Sequence, residues 1–223
     1  MNIRTRTLAA LVAAAMAGTG TSGCSDSGAA LQSGDADARI RAIHELAAQG
    51  TDAAARQLGA AARHEDARTA GEALAALGRV PGAEAGRVLA EAAAKDPRPA
   101  LRQAAVMALT QRGGAEARPA LRQAVRADPA PEVRGEAAAG QARVGTLEDV
   151  DLLVEAATAD GNSPAVGREI AAIEQLLGVR FRYDPVASPE ERQEALRRVR
   201  ACAPDLAKKR QAWWDYSKKE PRP

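Results

Sequence analysis

Asp96-Pro97-Arg98-Pro99-Ala100-Leu101-Arg102 is followed 32 residues later by Asp128-Pro129-Ala130-Pro131-Glu132-Val133-Arg134. The same interval separates Leu89 from Leu121 and Leu153, Gly113 from Gly145, and Asp96 from Asp128 and Asp160. Gly82-Ala83-Glu84-Ala85 returns as Gly114-Ala115-Glu116-Ala117, and Gly50 precedes Gly82 by one period. One interval held across several segments is the mark of a repeat architecture. Each period reads as two helices. Asp96-Pro97 opens one, because an aspartate caps free N–H groups and a proline suits the first turn. Leu101, Ala105, Ala108 and Leu109 form its apolar stripe, and Gly113-Gly114 ends it. Ala117–Ala127 follows as the second helix, with Leu121, Ala124 and Val125 inward. A single hairpin cannot bury its own apolar face, so such units must stack.

Outward from the repeats, the chain changes character twice. Met1–Gly23 has Arg4 and Arg6 near its start and an apolar run, Leu8–Gly18, before small and polar residues. That order predicts a secretory signal peptide over 1–23, since the run falls short of the ~20 apolar residues that cross a bilayer. Thr21-Ser22-Gly23-Cys24 resembles the lipobox of bacterial lipoproteins, with Thr21 where that family usually has an aliphatic residue. The resemblance implies a diacylglyceryl group on Cys24 and a second acyl chain on the new amino terminus, which makes anchoring stable. Residues 24–34 are rich in serine and glycine and predict a flexible tether with a reach of ~15–20 Å.

At the other end, Arg168–Gly178 reads as a last regular helix, and 179–185 as extended. Ser188-Pro189-Glu190-Glu191 is a capping-box pattern that starts a charged helix over Pro189–Arg200. Pro204 predicts an interruption, and Asp205–Ser217 a final helix. The chain has five aromatic residues, and Phe181, Tyr183, Trp213, Trp214 and Tyr216 all lie in this end. A solenoid needs an atypical terminal unit over its last apolar face, so 179–217 is expected to be an aromatic cap, with a basic tail over 218–223.

The expected fold is therefore all-α: a right-handed α-solenoid of about five helical hairpins over 35–178. The pattern Asp-Pro-x-x-x-[Leu/Val]-Arg…Ala…Gly resembles the HEAT-like repeats, in the short form also found in phycobilisome lyase proteins. It covers Asp35–Asp160 and continues to Gly178. The resemblance implies that the aspartate sits at the turn into the second helix of a pair, and that the arginine six residues on completes an Asp–Arg ladder between units. Asp96, Arg102, Asp128 and Arg134 match. In the preceding unit His64 and Ala70 occupy those positions, and in the first Arg39 takes the arginine's place. These charges read as structural.

No constellation points to catalysis, and the chain is read as a non-enzyme with no cofactor. The two histidines, in His44-Glu45 and His64-Glu65, invite comparison with the di-iron HEAT-like deoxyhypusine hydroxylases, where His-Glu follows each repeat arginine. Here Gln103, Gly135 and Glu169 follow Arg102, Arg134 and Arg168, so no metal site is expected. Nor does a nucleophile elbow or phosphate loop occur. With two cysteines in all, lipidation of Cys24 leaves Cys202 alone, which rules out an intrachain disulfide framework and reads as an idle thiol. Loss of Arg4 and Arg6 with the leader balances the 31 basic against the 29 acidic residues. A neutral chain lacks the basic field that nucleic-acid binding needs. Lys208-Lys209-Arg210 and Lys218-Lys219 are locally basic and read as a solvated tail, with contact to anionic lipid head groups as the alternative.

The expected function is a membrane-anchored protein–protein interaction scaffold of the bacterial envelope, facing the periplasm or the cell exterior. It would bind an envelope protein or peptide on the exposed face of the arginine-bearing helices, with no small-molecule substrate. An enzyme or chromophore-handling protein like the lyase relatives, and a purely structural lipoprotein, are the alternatives.

Overall fold

Alanine, leucine and arginine dominate the helical stretches because side chains not branched at Cβ lose little rotamer freedom in a helix. The computed structural model describes residues 27–161 and 163–219, with side chains at 213, 214 and 216–219 outside the description. Ten long helices run through these residues. They are α1 (Ala36–Gln49), α2 (Asp52–Ala61), α3 (Ala67–Leu77), α4 (Ala83–Lys95) and α5 (Pro99–Arg112), then α6 (Ala117–Ala127), α7 (Pro131–Val144), α8 (Val150–Asp160), α9 (Ala165–Leu177) and α10 (Pro189–Lys219). A 3-10 turn, Leu147–Asp149, leads into α8. No strand occurs among the described residues.

The helices form two layers. The odd-numbered helices α1 to α9 stack side by side in one, and α2 to α10 in the other. Each even helix packs tightly on the odd helix after it, so the repeating unit is an even–odd hairpin with its aspartate at the turn. The molecule is an all-α solenoid. Leu46, Leu58, Leu74, Leu77, Leu89, Leu109, Leu121 and Leu153 are fully buried along the seam between the layers, each worth ~1.5–3 kcal/mol of apolar burial. Small residues set the spacing. A Cβ built on Gly140 would lie 2.3 Å from Thr110 Oγ1 and 3.1 Å from Leu121 Cδ1, so α7 meets α5 and α6 at a distance only glycine permits. Gly50 closes α1 in the left-handed region at φ 64°, a conformation that glycine enters freely.

Three expectations need correction. The tether over 24–34 is not loose throughout: Ser27–Ala30 is helical, Leu31 is 5% exposed, and Ser27 Oγ donates to Glu45 Oε2 at 3.2 Å. Leu31 joins the core of the first hairpin, and burying one leucine is enough to hold a short turn in place. The helix expected to open at Asp96-Pro97 begins at Pro99, because the Asp96 carboxylate accepts the Arg98 N–H at 2.9 Å and closes a turn upstream of the helix. Finally, Pro204 does not interrupt the C-terminal helix, which runs through it. Ala195, Leu196, Val199, Ala203 and Ala207 are buried on one stripe of α10, and packing on both sides of the proline outweighs its lost hydrogen bond. The capping box forms as expected: Ser188 N–H donates to Glu191 Oε2 at 3.0 Å and Glu191 N–H to Ser188 Oγ at 3.2 Å.

The C-terminal helix lies across α8, α9 and the 3-10 turn and so covers the end of the stack. Its buried stripe is aliphatic. Phe181 and Tyr183, in the extended segment before it, are half-buried against the core. The side chains of Trp213, Trp214 and Tyr216, expected in the same cap, lie outside the described residues, as do the leader over 1–23 and Cys24.

Candidate interaction surface

Buried charge comes first, because it decides which polar groups are already committed. The arginine of each ladder rung faces the aspartate of the next unit. Arg102 donates to both Asp128 oxygens, Nε to Oδ2 at 2.7 Å and Nη2 to Oδ1 at 2.9 Å. Arg134 holds Asp160 in the same forked way, at 2.6 and 2.9 Å. The third guanidinium nitrogen ties each arginine to its own turn, Arg102 Nη1 to the Asp96 carbonyl at 3.0 Å and Arg134 Nη1 to the Asp128 carbonyl at 2.8 Å. The result is a chain of links, turn to arginine to next turn, running through the odd layer.

The first rung exists too, with a partner the sequence reading placed two residues away. Arg39 Nη2 lies 3.0 Å from Asp66 Oδ2, and Arg39 Nε donates to Thr69 Oγ1 at 3.0 Å. The Thr69 hydroxyl, then Arg39, hold the Asp66 carboxyl far below the usual carboxylate range. Asp66, not His64, caps α3; it stands 30 residues before Asp96, two short of the 32-residue period, and that offset hid it. The rung that Ala70 leaves empty is filled from the other side. Arg98 forks onto Asp96, Nε to Oδ1 at 3.0 Å and Nη2 to Oδ2 at 2.9 Å, and reaches back to the His64 carbonyl at 2.7 Å. Asp160 carried the full 32-residue signal; Arg98 had none, since its role depends on what Ala70 lacks.

At the last rung the pattern changes. Glu169 of α9 is fully buried beside Asp160 and Arg134. Burial, and then the Asp160 carboxyl alongside, push Glu169 up to about 8 against the opposing pull of Arg134. Of the two carboxyls, Arg134 bonds to Asp160 alone, both Glu169 oxygens are buried without a hydrogen-bond partner, and keeping Glu169 protonated avoids a second buried negative charge. Tyr183 stands nearby in the extended segment, and its hydroxyl is pushed up, chiefly by burial.

The two histidines are placed apart in role. His44 Nε2 lies 3.8 Å from Glu72 Oε2 on the exposed face, and His64 Nδ1 accepts the Asp66 N–H at 3.0 Å in the α2–α3 turn. Among the described residues no group of three or more His, Cys, Asp or Glu is placed to hold a metal ion. Cys202 is exposed on α10. No described helix is long and apolar enough to cross a membrane.

What the odd layer leaves open is a row of equivalent positions, exposed at Ala75, Met107 and Ala171 and half-buried at Ala139. Met107 is 53% exposed in the middle of that row. Ion pairs flank it without crossing it, His44–Glu72 at one end and Arg168–Glu136, at 2.7 Å, at the other.

Stacked hairpins whose ladder charges pair from one unit to the next, with an open row of small residues on the odd layer, define an α-solenoid. The model of the HEAT repeats matches residues 28–109 and 87–174, more than half of the chain, and the protein belongs to that family. No curated protein matches it. Among solved structures it resembles the crystal structure of an engineered protein from a structural genomics consortium, 16% identical, with a TM-score of 0.46, over 83% of this chain and 98% of that one.

Proposed function

We propose that this chain is a protein-binding scaffold, held at a membrane of the bacterial envelope by lipid on Cys24. The observation that carries the binding role is the open odd-layer face with Met107 at its centre. A solenoid of this kind offers a continuous surface built from equivalent positions of successive units, and methionine is a side chain that adapts to a partner's shape. The charges beneath are already paired, so a partner can bury this face without leaving a ladder ion unsatisfied. The anchor rests on the leader pattern and the lipobox resemblance. Only Ser25 and Asp26 separate Cys24 from Ser27, so a lipid there would keep the first hairpin within ~10 Å of the bilayer.

Two measurements test this. A photo-crosslinking amino acid at position 107 should give a covalent adduct with a second protein in the cell, and the same probe at exposed Thr158 should not; equal yields from both positions sink the binding face. Cys24→Ala should abolish palmitate labelling and release the protein from membranes, and unchanged labelling sinks the anchor.

A further inference from the structure

A second surface, on the other layer, is built around arginine. The sequence of α6, ARPALRQAVRA, carries Arg118, Arg122 and Arg126 and no acid. The three recur every fourth residue, so they form one row with a step of about 6 Å along the helix axis. One period earlier the same positions are Gly86, Ala90 and Ala94. One period later they are Val150, Val154 and Thr158, of which both valines are buried. Where the neighbouring rows bury Gly86, Val150 and Val154, α6 carries guanidinium groups, and a groove of about 890 Å³ runs alongside them. Two other grooves of this layer are smaller, about 540 Å³ by α2 and α4 and about 280 Å³ by α4 and α6. Ala115, Pro119 and Val144 give the α6 groove an apolar floor.

The arginines are held in place from below. Asp149 is fully buried and accepts from Arg118 Nε at 3.0 Å and from Arg122. Arg118 Nη2 also donates to Thr146 Oγ1 at 2.8 Å and to Glu148 Oε2 at 2.9 Å. The Glu148 side chain is 76% exposed, so that pair is a solvent-screened one that a competing carboxylate displaces at little cost. Arg126 is exposed and has no partner among the described residues. One buried carboxylate therefore holds two guanidinium groups, each by a single hydrogen bond, before any ligand arrives, which lowers the entropy lost on binding, and the third is free.

We propose that this groove seats an acidic segment of a partner protein, presenting carboxylates about 6 Å apart as glutamates four residues apart on a helix do. The proposal rests on the scaffold reading and gives it a partner chemistry. Forked guanidinium groups match carboxylates in geometry as well as charge, and Glu148 already makes a single hydrogen bond of this kind to Arg118. Three arginines on an otherwise balanced chain make a local rail, not the broad field that a nucleic acid requires.

The test is fluorescence polarisation with the full chain and a labelled peptide of about 16 residues, alanine and leucine with glutamate at every fourth position. The wild type should bind it, and more weakly as salt rises. Arg126→Glu, which breaks no internal contact, should melt as the wild type does and bind at least about tenfold more weakly. A lysine-for-glutamate peptide should not bind. Equal affinity of Arg126→Glu, or of the lysine peptide, overturns the proposal. So does binding to phosphatidylglycerol vesicles with no peptide binding, which would make the row a lipid contact. Absence of peptide binding with crosslinking through position 107 intact removes the groove alone and leaves the scaffold reading standing.

Discussion

Arg102 of one repeat clasps Asp128 of the next through two parallel hydrogen bonds, while its remaining nitrogen holds the carbonyl of Asp96 in its own turn. Both side chains are under a tenth exposed. Their value lies in the pairing: each ion is costly to bury alone and tolerable with its partner. Arg102→Ala leaves Asp128 buried and unpaired and should cost about 3–5 kcal/mol. Replacing both residues with apolar ones should cost much less. Urea unfolding at neutral pH checks both; a single mutant as mild as the double would show that the rung is not a coupled pair.

Glu169 makes the stability pH-dependent in a definite direction. Its ordinary value is 4.5 and its folded value about 8. Between these the folded chain keeps a proton that the unfolded chain releases, so stability falls as pH rises through that window. Glu169→Gln keeps the donor and cannot ionise. It should flatten this part of the profile and raise the melting temperature at pH 8.5, by roughly 2–4 °C for each kcal/mol recovered. Melting curves of both proteins from pH 5 to 8.5 decide it, and parallel profiles would refute the role of Glu169.

Two glycines within helices should respond oppositely to alanine. Nothing lies within 4 Å of a Cβ built on Gly71 in α3, so Gly71→Ala should stabilise by about 0.5–1 kcal/mol through reduced backbone entropy. At Gly140 the added methyl meets Thr110 and Leu121, and Gly140→Ala should destabilise by ~1–3 kcal/mol. Equilibrium unfolding of the two variants side by side is sufficient, and a shared sign would mean that helix spacing at α7 is looser than described.

The C-terminal helix closes the stack. In a linear array an uncovered end weakens its neighbours in turn. Truncation after Gly178 should lower the melting temperature sharply or cause aggregation, since it uncovers the side of α8 and α9 that α10 packs on. Leu196→Ala is the milder probe, expected to cost about 2–4 kcal/mol. Unchanged melting of the truncated chain would show that α10 is an appendage and not a cap.

The period, the class of fold and most helices were legible in the residues because a repeat writes one packing problem several times. Asp96, Asp128 and Asp160 recur at equal intervals because each turn meets the next in the same way. Less legible was anything that depends on a neighbour in another unit. Arg98 takes over a rung only because Ala70 cannot, and Asp66 serves Arg39 from a position two residues off the repeat period. Both facts are invisible until the helices are stacked.

By itself, the sequence determined that the chain would be helical, repeated and stacked, since alanine-rich hairpins with one apolar face have no other stable arrangement. Tertiary structure alone decided that α10 runs unbroken through Pro204, because burial of Leu196 and Val199 before it and Ala207 after it outweighs the missing hydrogen bond. It also decided that Arg118, Arg122 and Arg126 border an open groove and not a tight helix contact. Arginines stand where neighbouring rows bury Gly86, Val150 and Val154, and where a helix pair opens is set by which side chains meet across it, not by the period that placed them.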